Sequence, residues 1–569
     1  MVQDQEWHLL SRVPESFFAK QPDYDRWLLQ LLYNRGIKKK EEIKEFLEAD
    51  KIKGHDPFLL KDMERAVDLI IKHIKKGNKI FIYGDYDADG ITSTALLYDL
   101  FSLFNCEPGV YMPDRIKEGY GLNKKAIDKI KKEGASLIIT VDTGIRNKEE
   151  VAYAKEKGLD IIVTDHHIPP EKKKDLPDCL LIDPVMEREK YPYKELAGVG
   201  VAYKLATALI SRSKLPEKQK EILEERLLDL VAIGTVADCV NLTGENRVLV
   251  KRGLKVLNHT KRLGLTELIK SSGLKGKIDS WNIGFQLAPR INASSRIDHA
   301  ARAFYLLVSK DKNEASQRAL DLNQKNVSRQ QITEKVLTEA MEQVKEEKDK
   351  IIIALSPETD PWPEGVIGLV AGRLSNMYYC PALVITRSEG KLKGSGRSIE
   401  DFNVVEALEK SKELLDNYGG HPAACGFSLT RENRENFFQE ISKYTNHKLK
   451  NLELKPRIYI DSELDWREID EDLLEKQEKM APFGEGNPKP IFLSRKGEIR
   501  DIVRMGRKGE HIKFRINNLW AVSFGKSERW SELKIGDKID LVYYLEMNEF
   551  KGNRSLQLKV VDIKKASSC

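Results

Sequence analysis

The feature that most constrains this chain is how its apolar runs end. Ile80-Phe81-Ile82-Tyr83 gives way to Gly84-Asp85-Tyr86-Asp87-Ala88-Asp89-Gly90, Leu137-Ile138-Ile139-Thr140-Val141 to Asp142-Thr143-Gly144, and Ile161-Ile162-Val163-Thr164 to Asp165-His166-His167. Runs without polar alternation cannot turn one face to water. Interleaved with helical patterns at Ile91–Phe104 and Lys148–Lys157, and followed by Leu180-Leu181-Ile182, they predict a parallel sheet covered by helices on both faces. Ligands of such sheets gather at the carboxyl ends of the strands. Asp85, Asp87, Asp89, Asp142, Asp165 and His166 therefore fall on one rim, with His167 beside them.

Carboxylates this close repel one another strongly unless cations lie among them. Aspartate oxygens with one or two imidazoles suit Mn²⁺ or Mg²⁺ better than a thiolate-seeking metal. The ligands exceed what one ion needs. Two ions about 3.5–4 Å apart, bridged by one carboxylate, are the usual arrangement in phosphoester hydrolysis. Blander readings compete for each piece. Asp142-Thr143-Gly144 alone could be a helix cap. Asp85–Gly90 resembles the start of a calcium loop, but the twelfth position, where that loop needs Glu, is Leu96, and a strand rather than a helix precedes it. Three motifs on successive strands of one sheet outweigh these readings.

The 569 residues suit three to five domains at roughly 100–200 residues each. With 41% hydrophobic and 32% charged residues, the chain can bury several cores, and wholesale disorder is excluded. No run approaches the ~18 apolar residues of a membrane span. Met1–Trp7 has no basic start followed by an apolar run, so no secretory signal is expected. Cys106, Cys179, Cys239, Cys380, Cys425 and Cys569 include no Cys-x-x-Cys pair. That argues against a disulfide scaffold or structural zinc site, and for a reduced, cytoplasmic protein.

Residues Tyr24–Gly36 and Lys40–Ala49 read as a helical pair. Lys310–Lys350 reads as one or two long amphipathic helices, with Leu320, Val327, Ile332, Val336, Leu337, Met341 and Val344 near one stripe. A second α/β unit starts at Ile351-Ile352-Ile353-Ala354-Leu355. After Lys455-Pro456, several short strand patterns suggest a small barrel or sandwich. Between Arg495 and Trp530 lie ten Lys/Arg against four Asp/Glu, so this stretch alone matches the chain's net charge of +6. It is either a polyanion-binding surface or a merely solvated one.

Asp87-Ala88-Asp89, Asp142 and Asp165-His166-His167 together resemble the motifs of the DHH phosphoesterases. Gly234-Thr235-Val236-Ala237-Asp238 fits that family's fourth motif, an Asp within a helix. Tyr83–Gly90, Pro289-Arg290-Ile291-Asn292-Ala293, Ser395-Gly396-Arg397-Ser398, Gly419-Gly420-His421 and Pro482-Phe483-Gly484-Glu485-Gly486-Asn487-Pro488 resemble its single-strand exonuclease branch over nearly the whole chain. The resemblance implies an α/β protein with an N-terminal helical segment at 1–60 and a parallel-sheet DHH domain at 61–310. A long connecting helix at 311–345, a DHHA1-type second α/β domain at 346–452 and an OB-type β-barrel at 453–569 would follow.

It further implies 5′→3′ hydrolysis of single-stranded DNA to mononucleotides, with two Mn²⁺ or Mg²⁺ ions per site, in DNA recombination and repair. The expected protein is a cytoplasmic monomer, without a membrane, working with a RecQ-type helicase and a single-strand-binding protein. Asp87 and Asp142 would hold one metal; Asp89, Asp142, His166 and Asp238 would hold the other. Many relatives carry His at the position of Tyr83, and Asp85 is expected to substitute for it. Asp142, Asp165 and His167 would serve catalysis, His167 facing the scissile phosphate. Arg115, Arg296, Arg373, Ser395, Arg397 and His421 would bind substrate, with Gly419-Gly420-His421 a loop closing over it. Phe514, Trp520 and Phe524 are candidate stacking platforms. Ser395 and Arg397, two apart on an extended segment, should point the same way and suit a terminal phosphate.

Two other readings stay open. A relative that cleaves short oligonucleotides, cyclic dinucleotides or pyrophosphate would share the rim but needs neither barrel nor basic stretch. A non-catalytic single-strand-binding protein would need no intact ligand set, and here only the Tyr83 position departs.

Overall fold

The computed structural model describes residues 5–187, 189–344, 349–388, 390–550 and 553–566. Met1–Asp4 and Cys569, which entered the expectations about a leader and the sixth cysteine, lie outside them. The chain divides into two compact units, one of Asp50–Leu452 and one that joins Met1–Ala49 to Glu453–Cys569. No helix among the described residues is long and apolar enough to cross a membrane.

The first unit opens on five parallel strands: β1 (Lys79–Gly84), β2 (Gly109–Tyr111), β3 (Ala135–Val141), β4 (Asp160–Thr164) and β5 (Leu180–Ile182), in the order β2-β1-β3-β4-β5. Side chains alternate between two cores. Ile80 and Ile82 pack into one with helices α1 (Ala88–Leu103), α2 (Gly198–Ser211) and α3 (Glu217–Ala237), while Phe81 and Tyr83 pack into the other. Burial on both faces, worth roughly 1.5–3 kcal/mol per large aliphatic side chain, explains why these strands are apolar throughout. The register aligns Gly84, Val141, Thr164 and Ile182 in one row across β1, β3, β4 and β5. The next residues are Asp85, Asp142, Asp165 and Asp183, so the sheet ends in a row of four carboxylates. The fourth, Asp183, is not among the expected site residues.

Helix α4 (Ala288–Ile297) follows a π-turn at Ile283–Leu287, and the 30-residue helix α5 (Lys312–Met341) leads to the second sheet. The stripe α5 buries differs from the expected one: Leu320 and Val327 are exposed, and Ala315, Ala319, Leu322, Asn326, Thr333, Val336, Leu337 and Ala340 are buried. Small residues let neighbouring helices approach closely, so the contact follows alanines that carry little hydropathy signal.

The second sheet contains β6 (Ile352–Leu355), β7 (Ala382–Ser388), β8 (Lys391–Arg397), β9 (Asn417–His421) and β10 (Ala424–Leu429), ordered β9-β10-β8-β7-β6, with only β6 and β7 parallel. The expected loop at Gly419-Gly420-His421 is instead edge strand β9, paired with β10 across the turn at Pro422-Ala423. Gly420 has φ of 141°, and a Cβ there would lie 2.2 Å from the Ala424 carbonyl, so the glycine serves the hairpin itself. Helix α6 (Glu364–Tyr378) covers β7 and β8.

In the second unit, strand Glu6–Leu9 pairs in parallel with Arg457–Ile460, about 450 residues away. Leu28, Leu31, Ile43 and Phe46 of the N-terminal helices share a core with Phe492, Phe514 and Tyr543. Strands β11 (Phe492–Met505), β12 (His511–Ile516), β13 (Leu519–Ser523), β14 (Lys538–Phe550) and β15 (Asn553–Lys565) pair in the order β11-β12-β13-β15-β14, and β14 pairs again with β11. Phe514 is fully buried, so it is a core residue and no stacking platform; Phe524 is exposed, and Lys513 lies 4.3 Å above the ring of Trp520.

Candidate metal centre and phosphate-binding side

Two of the candidate ligands on the rim are fixed by backbone amides. Asp87 caps α1, its Oδ1 accepting from the amides of Asp89 and Gly90 at 2.9 and 3.1 Å. Asp89, inside the first turn, is held by a second helix: its two oxygens accept from the amides of Gly198 and Val199, at 2.7 and 2.9 Å, where α2 begins. Asp142 is not the helix cap it could have been. Its φ of 61° turns the chain sharply at the end of β3, and the helix beyond is preceded by Asn147. Asp238 ends α3. Glycines make room: a Cβ at Gly198 would lie 2.7 Å from Asp142 Cβ, and one at Gly234 2.8 Å from Asp89 Oδ1.

The ligand atoms converge in two groups, Asp85–Asp87–Asp142 and Asp89–His166–Asp238, each with its atoms within 4.8 Å of one another. A third group, Asp142–His166–His167, overlaps both. His166 Nε2 stands 3.1 Å from Asp142 Oδ1 and 3.7 Å from Asp238 Oδ2. Asp85 Oδ1, Asp142 Oδ1, His166 Nε2 and Asp238 Oδ2 are all buried with no hydrogen-bond partner in the protein. Buried polar atoms without a hydrogen bond are unfavourable, so four such atoms pointing together fit a cation site. Burial, followed by the charge of neighbouring aspartates, pushes Asp85, Asp142 and Asp238 well above the usual carboxylate range and Asp89 to about 7. Burial and the neighbouring His167 drop His166 to about 4, leaving a neutral imidazole able to ligate.

Asp165 behaves differently. Burial would raise it, but its hydrogen bond to His167 and the charges of both histidines hold it below the usual range. It accepts from Ile145 N at 2.9 Å and from His167 Nδ1 at 2.7 Å, and Tyr120 Oη stands 3.1 Å from the same ring nitrogen. Tyr83 points away from the ligands, its hydroxyl donating to Gly121 O at 2.9 Å. Asp183 is buried, Oδ2 unpartnered, and pushed up to about 8 by burial and by Asp165.

Arginines line the other side. Arg296 Nη1 donates to Gly365 O at 3.0 Å, tying α4 to α6. It is pushed down to about 9 by burial and then by Arg115, Arg329 and Arg397, so four guanidiniums lie close enough to repel. Arg115 covers the ring of Tyr86 at 4.7 Å. Arg397 and Ser395 share a face of β8, with Nη1 3.4 Å from the hydroxyl, and Gly368 of α6 leaves space above both. Two expected residues stand apart. Arg373 is paired with Glu334, and His421, exposed on the edge strand, is aligned with Arg397 two strands away, about 10 Å by strand spacing. Besides Asp183 and Gly198, the sequence did not single out Tyr120, Asn292 and Arg329 for a role. Only Asn292, in Pro289–Ala293, lay within a quoted motif; its Oδ1 accepts from Ala88 N at 2.8 Å.

A parallel sheet with this acidic rim, followed by a second sheet bearing the arginine side, defines the class: residues 79–235 match the model of the DHH family, N-terminal domain, and 358–447 that of the DHHA1 domain. Residues 460–562 match the RecJ OB domain. The chain is 39% identical over 544 residues to the single-stranded-DNA-specific exonuclease RecJ of Bacillus subtilis (strain 168), covering 94% of this chain and 67% of that one. It is 32% identical to the protein of that name from Escherichia coli (strain K12), covering 94% and 95%. The crystal structure of RecJ in complex with Mn²⁺ from Thermus thermophilus superimposes with a TM-score of 0.84 at 28% identity, over 99% of this chain and 80% of that one. The chain belongs to the RecJ family.

Proposed function

We propose that this chain is a metal-dependent exonuclease that hydrolyses single-stranded DNA from its 5′ end to mononucleotides, in DNA recombination and repair. The observation that carries this reading is the placement, within one unit, of two ligand groups beside the buried arginines around Arg296. The names of its relatives support it. Mn²⁺ or Mg²⁺ fits the donor set: Asp85, Asp87 and Asp142 would hold one ion, Asp89, Asp142, His166 and Asp238 the other, with Asp142 shared. When bound, such ions lower the pKa of a coordinated water and offset charge on the attacking and leaving oxygens.

The chain's own residues supply the rest. Asp165 fixes the ring of His167 through Nδ1, so proton exchange with the substrate falls to Nε2. Ser395, Arg397, Arg296 and Arg115 bind the 5′ phosphate. A terminal phosphate carries more charge than a diester and gains more from guanidiniums, which sets the polarity of digestion. His421 and Arg373 extend this side.

The domain limits we propose are 61–310, 311–345, 346–452 and 453–569, after a helical segment at 1–60. The protein acts as a cytoplasmic monomer, and a RecQ-type helicase and a single-strand-binding protein are its proposed partners. The test is incubation with Mn²⁺ and 5′-labelled single-stranded DNA, double-stranded DNA and a dinucleotide. Mononucleotides are expected from the long single strand. Turnover of the dinucleotide alone would replace this reading with a phosphodiesterase of short oligonucleotides, and binding without turnover with a single-strand-binding protein.

A further inference from the structure

The helical stretch that carries Asn292 and Arg296 begins with two aromatic rings that no core uses. Trp281 and Phe285 are 52% and 68% exposed. Their rings stack on each other, centroids 5.2 Å apart and planes at 25°. Single exposed apolar residues need no explanation, but here two large rings present flat outer faces to solvent together. Phe285 lies within the π-turn at Ile283–Leu287 and Trp281 just before it, a geometry frequent at functional positions.

Position and charge indicate the occupant. Asn292 and Arg296, four apart in α4, lie on one side of that helix, and the two rings open the same helical stretch one π-turn earlier. Along that side Asn292 touches the backbone of Ala88, between the ligands Asp87 and Asp89, and Arg296 sits among the arginines. At 1.5 Å per residue, Phe285 lies about 10 Å from Asn292, the length of about three stacked nucleotides. Positive charge spans the interval. Arg290 reaches back to the carbonyl of Gln286 at 2.6 Å, beside Phe285, and Arg329 is depressed by burial and then by Arg373 and Arg290. Flat rings beside guanidiniums suit unpaired bases on a phosphate backbone, with sequence-tolerant stacking.

We propose that Trp281 and Phe285 form a base-stacking shelf for the part of the single strand about three nucleotides beyond the scissile bond. This rests on the exonuclease reading. Two full-length variants test it: Trp281→Ala/Phe285→Ala, and Trp281→Phe/Phe285→Tyr, which keeps both rings. Turnover with Mn²⁺ is measured on a 5′-phosphorylated single strand of about 20 nucleotides and on a 5′-phosphorylated dinucleotide, which is too short to reach the shelf. Binding of the long strand is measured separately by fluorescence anisotropy without metal. In the alanine pair, KM for the long strand should rise about tenfold with kcat unchanged, binding should weaken by a similar factor, and dinucleotide turnover should not move. The aromatic pair should stay within about twofold of wild type. Long-strand binding unchanged in the alanine pair, or equal loss on both substrates, overturns the shelf. If wild type hydrolyses neither strand, the exonuclease reading fails, and the anisotropy arm still decides whether the rings bind DNA.

Discussion

The proposed metal side and the proposed phosphate side of this site are built in opposite ways. On the metal side, five of the six proposed ligands lie within a few residues of the ends of β1, β3 and β4, and one register row across these strands precedes Asp85, Asp142 and Asp165. On the phosphate side, Arg115 comes from the loop after β2, Arg296 from α4, Arg329 from α5 and Arg397 from β8. A rim made by neighbouring strand ends is local and rigid. A cluster gathered from four segments across two sheets depends on how those sheets pack. The first should therefore fail completely when one shared ligand is removed, and the second by degrees.

The largest effect is expected at Asp142. Asp142→Ala removes the carboxylate proposed to be shared by the two ions, which belongs to the Asp85–Asp87 group and also lies 3.1 Å from His166 of the other. Activity on single-stranded DNA should fall by about 10³-fold or more, with an unchanged circular dichroism spectrum. A folded variant within tenfold of wild type would break the idea of a shared ligand.

Arg397→Ala should lose about ten- to a hundredfold on 5′-phosphorylated strands, since each charge-assisted contact is worth roughly 1.5–3 kcal/mol. It should also lose most of its preference over 5′-hydroxyl strands. Equal losses on the two ends would mean that Arg397 shapes the sheet rather than reading the phosphate.

The contrast also explains what could be read in advance. The rim was legible because strand, turn and ligand lie within a few residues, as in Tyr83–Gly90. Asp183 escaped because β5 is three residues long and its Asp stands alone. Gly198 escaped because its role, an amide on Asp89 and an open space beside Asp142, leaves no chemical mark in sequence. Arg329 and Tyr120 gave no signal, for no spacing links them to Arg296 or His167. The pairing of Glu6–Leu9 with Arg457–Ile460 was likewise hidden by distance along the chain.

A smaller effect sharpens the metal side. If Asp85 does the work of the missing imidazole at Tyr83, Asp85→Asn should raise the Mn²⁺ concentration for half-maximal activity by about tenfold while leaving the maximal rate within a few-fold. Tyr83→His should not mimic a ligand, because the Tyr83 side chain packs beneath the sheet and its hydroxyl bonds to Gly121 O. An Asp85→Asn variant with unchanged metal dependence would reduce Asp85 to a supporting role.

The smallest effect separates two kinds of positive charge in the C-terminal unit. Ten basic residues between Arg495 and Trp530 look alike in sequence, yet their surroundings differ. Arg495 is already paired with Glu463 and Asp540 at 3.1 and 3.2 Å, so it releases few counterions when DNA arrives. Lys513 lies over Trp520, where an ammonium and a ring face could meet a phosphate and its base together. On a single strand, each neutralised phosphate adds about 0.7 to the steepness of log K against log salt. Lys513→Gln should flatten the slope by about that amount, whereas Arg495→Gln should leave it within about 0.2. Both variants should digest a dinucleotide at the wild-type rate, because neither belongs to the catalytic unit. Equal slopes in wild type and Lys513→Gln would make this stretch a solvated surface, and the search for the strand's path through this unit would move to Phe524 and the exposed face around it.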